Sequence, residues 1–241
     1  MKEQTNIYDK ITSKFSFNQK KQESRTSSNI QKNSPKNIST NTSKDINKQE
    51  ISKNQNIEPS LLSYKELKNI IKSRRSIRQF TPHKPPYKII FEIIQTSFNA
   101  PRAGNIPNTD YILIEDNSKK ATIANLCYQQ SWIAQAPYII VVVSSKDDIS
   151  KLYPDMSLRF TTQNTAVQIQ NLLLLIHSAG FSSCWVESFQ EEVLKDFLGI
   201  PPNLQIHAIL PVGFAKEIPQ PPIAPDLLMK IHFEEFGNKQ K

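Results

Sequence analysis

The run Leu172-Leu173-Leu174-Leu175-Ile176 is apolar on every side of a helix, and it closes a helical stretch that the pattern extends from about Ser157 to Ser178, with Gly180 as terminator. A helix open to solvent along one side would not tolerate such a girdle, so this one must be covered all round. Two covers are available: a central position in the core, or a place shared with a second subunit. Either choice requires a folded body large enough to wrap a long helix, and residues 58 to 241 form one candidate domain of that size.

The rest of that domain alternates helices and strands. Ser63-Tyr64-Lys65-Glu66 reads as a capping box opening a helix with Leu67, Ile70 and Ile71 on one face. Pro85 and Pro86 start a second helix, carrying Ile89, Ile90, Ile93, Ile94 and Phe98, which Pro101 stops. Tyr111 to Ile114 reads as a strand, Lys119 to Gln129 as a helix, and Tyr138 to Val143 as a strand apolar on both faces and hence central. Phe181 to Val186 returns as a strand, Ser188-Phe189-Gln190-Glu191 caps a helix ending at Gly199, and His207 to Val212 is the last strand.

Residues 1–57 have another character. They are Lys, Asn, Ser, Gln and Thr with scattered Ile, lack Gly and Trp, follow neither structural period, and are expected to be disordered. They hold eleven of the basic residues against five acids, so most of the formal charge of +8 sits there and the folded part is close to neutral. Specific nucleic-acid binding is therefore not expected, because the charge is not set on a folded face. No apolar run is long enough to span a bilayer and no signal segment is visible, so a cytoplasmic protein is expected. Cys127 and Cys184 form no metal-ligand or redox spacing and read as packed thiols. His83, His177, His207 and His232 share no motif and read as structural.

Arg74-Arg75-Ser76-Ile77-Arg78-Gln79-Phe80 places three guanidiniums and a hydroxyl directly behind the first helix, a donor set that matches phosphate or carboxylate. Taken alone, the cluster reads equally well as complementing a helix dipole. Neither Gly-x-Gly-x-x-Gly nor a phosphate-binding P-loop accompanies it.

Four strings in order carry a joint signal: the arginine cluster, Ala100-Pro101-Arg102-Ala103-Gly104-Asn105-Ile106-Pro107, Cys184-Trp185-Val186-Glu187-Ser188-Phe189, and Leu210-Pro211-Val212-Gly213-Phe214. Their order and spacing resemble the nitroreductase family of FMN-dependent oxidoreductases over residues 61 to 238. The resemblance implies an α+β fold with a central mixed β-sheet flanked by helices, and a long buried helix at a homodimer interface. It also implies that Leu227 to Phe236 forms an arm over the partner subunit.

By the same resemblance, Arg74, Arg75 and Ser76 hold the FMN phosphate or ribityl chain. Arg78 reaches the pyrimidine edge and stabilises negative charge there. Pro101, Arg102, Ala103, Gly104 and Asn105 line the cofactor, with Asn105 as the polar contact. The Glu187 main chain, with Ser188 following, donates to the central ring, and Gly213 lies near the phosphate end. The chain departs from the pattern in having no cation within Ile218 to Ile223, although Lys216 is nearby, Asn164 where Asp is common, and Arg102 where a small residue is usual.

The implied activity is ping-pong transfer from NADH or NADPH, or a similar donor, through FMN to a small acceptor such as a nitroaromatic or quinone. The flavin carries the chemistry and no catalytic side chain is needed. The alternatives are a flavin-binding or flavin-storing protein and, last, a tail that engages an acidic partner. The stretch from about Lys146 to Asp155, with Tyr153, reads as the loop that selects the acceptor.

Overall fold

Strand β2 (Tyr138–Ser145) is buried along both faces from Tyr138 to Ser144, and the fold is laid down around it. A computed structural model describes residues 61–239; the tail expected to be disordered lies outside them. β2 pairs antiparallel with β1 (Thr109–Ile114) on one side and with β4 (Leu204–Gly213) on the other, and the short β3 (Ser182–Ser183) borders β4. The order is β1-β2-β4-β3.

Among the described residues the strand pairs are antiparallel, and an isolated bridge between Ser76 and Ser183 adds a parallel element at the edge.

The two faces of β2 serve different cores, as the two-residue period of a strand requires. Ile139, Val141 and Val143 pack with residues of α3 (Asn117–Leu126) and α6 (Glu191–Leu198). Tyr138, Ile140 and Val142 pack with α2 (Tyr87–Ser97) and α5 (Ser157–Ser178). Opposite β2, strand β4 breaks its alternation: Ile209 and Ile206 face one core while Ala208 faces the other. The pairing slips between Val142 and Val143, which leaves His207 as the extra residue, and its Nε2 lies 2.7 Å from Ser144 Oγ. Burial holds the His207 imidazole below its ordinary pKa, as expected for a structural group.

Helix α5 spans the stretch expected from sequence, and Gly180 follows it at φ +80°, a left-handed conformation favouring glycine. Leu172, Leu173 and Ile176 are buried within the chain, whereas Leu174 and Leu175 stay half-buried. The cover demanded by the apolar girdle is therefore incomplete in a single chain.

Three local expectations change. The first helix, α1 (Leu61–Ser73), begins ahead of Ser63, so the Ser63–Glu66 box does not open it. Helix α6 starts at Glu191 with no side-chain cap at Gln190; the Glu191 carboxylate instead accepts from Ile206 N at 3.1 Å and pairs with Lys195. The expected strand 181–186 shortens to β3 plus a bridge in which Val186 and Ile209 exchange both backbone bonds, at 3.1 and 2.9 Å. The register places Cys184 opposite Pro211, at a position that calls for a donor from β4, and proline has no N–H to give.

Gly213 ends β4 where there is no room for a side chain. A Cβ there would meet the Pro137 ring at 2.6 Å and Phe80 at 3.2 Å. Gly213→Ala should therefore lower stability by about 1–3 kcal/mol through overpacking, read as a shift in urea midpoint with unchanged slope; an unchanged midpoint would mean that the strand end yields freely.

Candidate functional site

The arginine segment leaves α1 and is fixed by two inward residues. Ile77 and Phe80 are buried in a small core with Ala136, while Ile77 N donates to Ser183 O at 3.1 Å. Further on, Thr81 N donates to Phe214 O, Lys216 N donates to Gln79 O, and Phe80 bridges Ala215. These backbone bonds pin the segment between the β3 edge and the end of β4. Arg74, Arg75, Ser76 and Arg78 are left lining a cleft of about 670 Å³, whose opposite wall is Pro219 to Pro225.

Each guanidinium has a distinct environment. Arg75 donates through one terminal nitrogen to Lys72 O at 2.7 Å and Arg74 O at 2.8 Å, closing the C-terminus of α1. Its Nε is buried without a partner. Arg78 lies over the Trp132 ring, 5.8 Å from its centroid, within cation–π range. The buried Cys184 thiol donates to Trp185 O at 3.8 Å. Burial raises that thiol's pKa, while Arg78, Ser76 and Arg74 pull it back. Cys127 has no such neighbour, and burial pushes it up to about 12. Both cysteines are unpaired and packed.

Ser183 Oγ and Trp185 Nε1, in and just after β3, are also buried without partners, as are atoms of Thr81, Arg102, Asn108, Thr161 and Gln168 elsewhere. An unpartnered buried donor costs about 1–3 kcal/mol, so the Arg75 Nε within a cluster of three cations marks a place suited to a polar, anionic ligand. Glu187 and Ser188 follow the Val186 bridge and are exposed at the sheet edge. Gly213 is explained by Pro137 and Phe80 rather than by a ligand's approach. Lys216, whose side chain is exposed, is fixed by its backbone beside Gln79, one residue from Arg78.

The Pro101–Asn105 loop is elsewhere. Arg102 folds back to Phe98 O at 2.8 Å and to Asn105 Oδ1 at 3.2 Å, so it caps α2 and steadies Asn105. Gly104 has φ +62°, and a Cβ there would press on Ile106, Leu152 and Tyr153 at 3.2–3.4 Å. Ala103 N donates to Asn164 Oδ1 at 2.9 Å, and Asn164 Nδ2 reaches Asn108 Oδ1 at 3.4 Å. Asn164 belongs to a buried polar stripe on α5 with Thr161, Thr165 and Gln168, spaced along one helical face. The stretch 146–155, expected to be a loop, contains α4 (Asp147–Leu152) and a 3₁₀ turn at Pro154–Met156, and Tyr153 meets Phe160 edge-on at 5.1 Å. It is tied to the Gly104 turn.

Helix α5 measures the gap between the two groups. Asn164 holds the loop, and His177, thirteen residues on, meets Ser73 beside the arginines; at 1.5 Å per residue that is about 20 Å along the helix. One chain therefore does not bring the loop and the arginine cluster together. His177 is the member of the cluster's surroundings that sequence reasoning missed, because only the packing of α1 on α5 brings it there. Among the described residues no group of acidic, His or Cys side chains is arranged to hold a metal ion, and no helix is long and apolar enough to cross a membrane.

The sequence model described as "Nitroreductase family" matches residues 71–132 and 124–214. A protein of Archaeoglobus fulgidus, provisionally named NADH dehydrogenase/NAD(P)H nitroreductase, is 28% identical over 158 residues, covering 63% of this chain and 87% of its own. An iodotyrosine deiodinase of Thermotoga neapolitana is 21% identical over 182 residues, covering 65% and 92%. The NADPH:FMN oxidoreductase of Vibrio harveyi, solved with NAD+, superposes with a TM-score of 0.65 at 18% identity over 71% of this chain and 78% of that one, a likeness of fold.

Asn164→Ala removes the acceptor of Ala103 N–H in a buried setting. It should cost about 1–3 kcal/mol and speed hydrogen exchange at Ala103 relative to the core of β2. Unchanged exchange at that amide would show that Asn164 does not hold the loop.

Proposed function

The chain belongs to the nitroreductase family, and from that premise we propose that it is an FMN-dependent oxidoreductase passing electrons from NADH or NADPH to a small acceptor such as a nitroaromatic or quinone. The observation that carries this reading is the cleft in which Arg74, Arg75, Ser76 and Arg78 converge, with the Arg75 Nε buried and unpartnered. Its volume is within the range of cofactor pockets, and its charge suits a monophosphate.

Bound there, FMN would supply the acceptance of hydride from the nicotinamide and its onward delivery. Arg74, Arg75 and Ser76 hold the phosphate and ribityl end. Arg78, held on the Trp132 face, sets positive charge beside the pyrimidine edge, where a fixed cation favours the more negative state without having to reorganise. The Glu187 main chain, followed by Ser188, would donate to the central ring from the sheet edge. Gly213 acts indirectly, by letting the end of β4 close against Phe80 and so fixing the arginine segment.

The lining loop Pro101, Arg102, Ala103, Gly104 and Asn105 lies about 20 Å from its own chain's cluster, so it lines the cofactor held by a second copy. A homodimer would join the two groups. The half-buried Leu174 and Leu175 and the exposed Leu227, Leu228 and Met229 are apolar surface that such a partner would cover.

Purified protein should be yellow, release a ligand with the mass of FMN rather than FAD, and oxidise reduced nicotinamide when menadione or nitrofurazone is present. Colour without turnover would assign the chain to flavin storage, and no flavin after reconstitution would sink the oxidoreductase reading.

Arg78→Ala should lower the flavin midpoint potential by some tens of millivolts: a charge-assisted contact is worth about 1.5–3 kcal/mol, and roughly 1.4 kcal/mol corresponds to 30 mV in a two-electron couple. Arg74→Ala should weaken FMN binding and leave the potential in place. Spectroelectrochemical titration of the FMN-saturated variants separates the two roles.

A further inference from the structure

A second cavity of about 390 Å³ adjoins the cleft, sharing Arg75 and the segment Pro219 to Pro221, and is closed by Ser73, His177 and Ser182. His177 sits in the last turn of α5, and its Nε2 lies 2.7 Å from Ser73 Oγ at the end of α1. We propose that the flavin phosphate held by Arg74, Arg75 and Ser76 extends past the shared Arg75 into this cavity, and that His177 binds a proton from solvent as the phosphate enters. The inference rests on the flavin reading above and adds a proton-linked residue to it.

The chemistry follows from who can donate. Ser73 Oγ donates to Ile70 O at 3.4 Å or, when the neutral His177 ring carries its hydrogen on Nδ1, to Nε2, so its hydrogen is held by the protein. Protonated imidazole donates from both nitrogens; Nε2–H then points at Ser73 Oγ and frees the serine hydrogen for an anion in the cavity. One proton taken up thus adds a charge and turns a donor. The Arg75 Nε supplies a further donor, buried and unpartnered.

The free imidazole is kept neutral at physiological pH. Burial first, then the charges of Arg74 and Arg75, hold it below its ordinary value. Ser182 and residues 218–221, which form the remaining walls, bring no titratable group. An entering dianion offsets the two arginines and raises the imidazole pKa. Between the free and bound values, binding takes up a proton and is strongest at the acid side. Around pH 6 the phosphate itself gains its second charge as pH rises, which acts in the opposite sense and is largely complete by about pH 7.

The full-length protein, freed of flavin, would be titrated by NMR of the His177 ring alone and with FMN, riboflavin or inorganic phosphate. Dissociation constants for both flavins would be measured between pH 6.5 and 8 in wild type and His177→Gln. The expected result is a raised imidazole pKa with FMN and with phosphate but not with riboflavin. FMN affinity should fall by up to about tenfold per pH unit in wild type and stay flat in His177→Gln, since one linked proton sets that limit. FMN binding with an unmoved His177 pKa would overturn the inference and leave the flavin reading standing, as would matching pH slopes in wild type and variant. If neither flavin binds, the flavin reading falls; a rise with inorganic phosphate would then still support the proton-linked anion site, and no rise would reject it.

Discussion

Burial of β2 on both faces is the constraint from which the other elements take their places. A strand whose residues 138–144 are all removed from water needs apolar layers above and below it, and the two-residue period sends odd and even positions to separate cores. Helices α3 and α6 answer one face, and α2 and α5 the other. With the sheet enclosed in this way, chemistry is confined to its edges and ends. The arginine segment occupies one such place, stitched to β3 and to the continuation of β4 by backbone bonds that leave its arginines toward the cleft.

The sequence was most legible where pattern and burial agree. The bounds of α5 follow from its apolar girdle and Gly180, and β2 from an unbroken apolar run with no polar alternation. Residues matching the family's strings were also visible, since they are contiguous. What stayed hidden depends on register and on contacts distant in sequence. The parity break at His207 is a bulge that only the partner strand reveals, and the interruption at Cys184 requires knowing that Pro211 stands opposite. His177 lies 104 residues from Ser73, beyond the reach of any local pattern. The lining loop is similarly far from the cluster, and only the length of α5 shows it.

Charge in the cleft is one-sided. Arginines form one wall and a neutral proline-rich segment the other, so the cations are not compensated by carboxylates across the gap. Such a field is suited to an anionic ligand and becomes less favourable when the ligand is absent. Arg75 reduces that cost by serving the α1 terminus as well, and Arg78 by resting on Trp132. The same side chains thus stabilise the fold locally while keeping donors aimed at the cleft.

Within the polar stripe, Asn164 and Thr165 give α5 something its apolar half cannot. A girdle of leucines fits its surroundings at many rotations about the helix axis, since each face offers much the same surface. Asn164, by contrast, meets Ala103 N in one orientation only, and Thr165 Oγ1 lies 3.4 Å from Thr109 Oγ1. Rotating or sliding α5 by one residue would strand these groups in a dry interior. The apolar half of the helix supplies adhesion, and the polar half acts as a key that sets its angle, thereby carrying the position of one end of the molecule faithfully to the other.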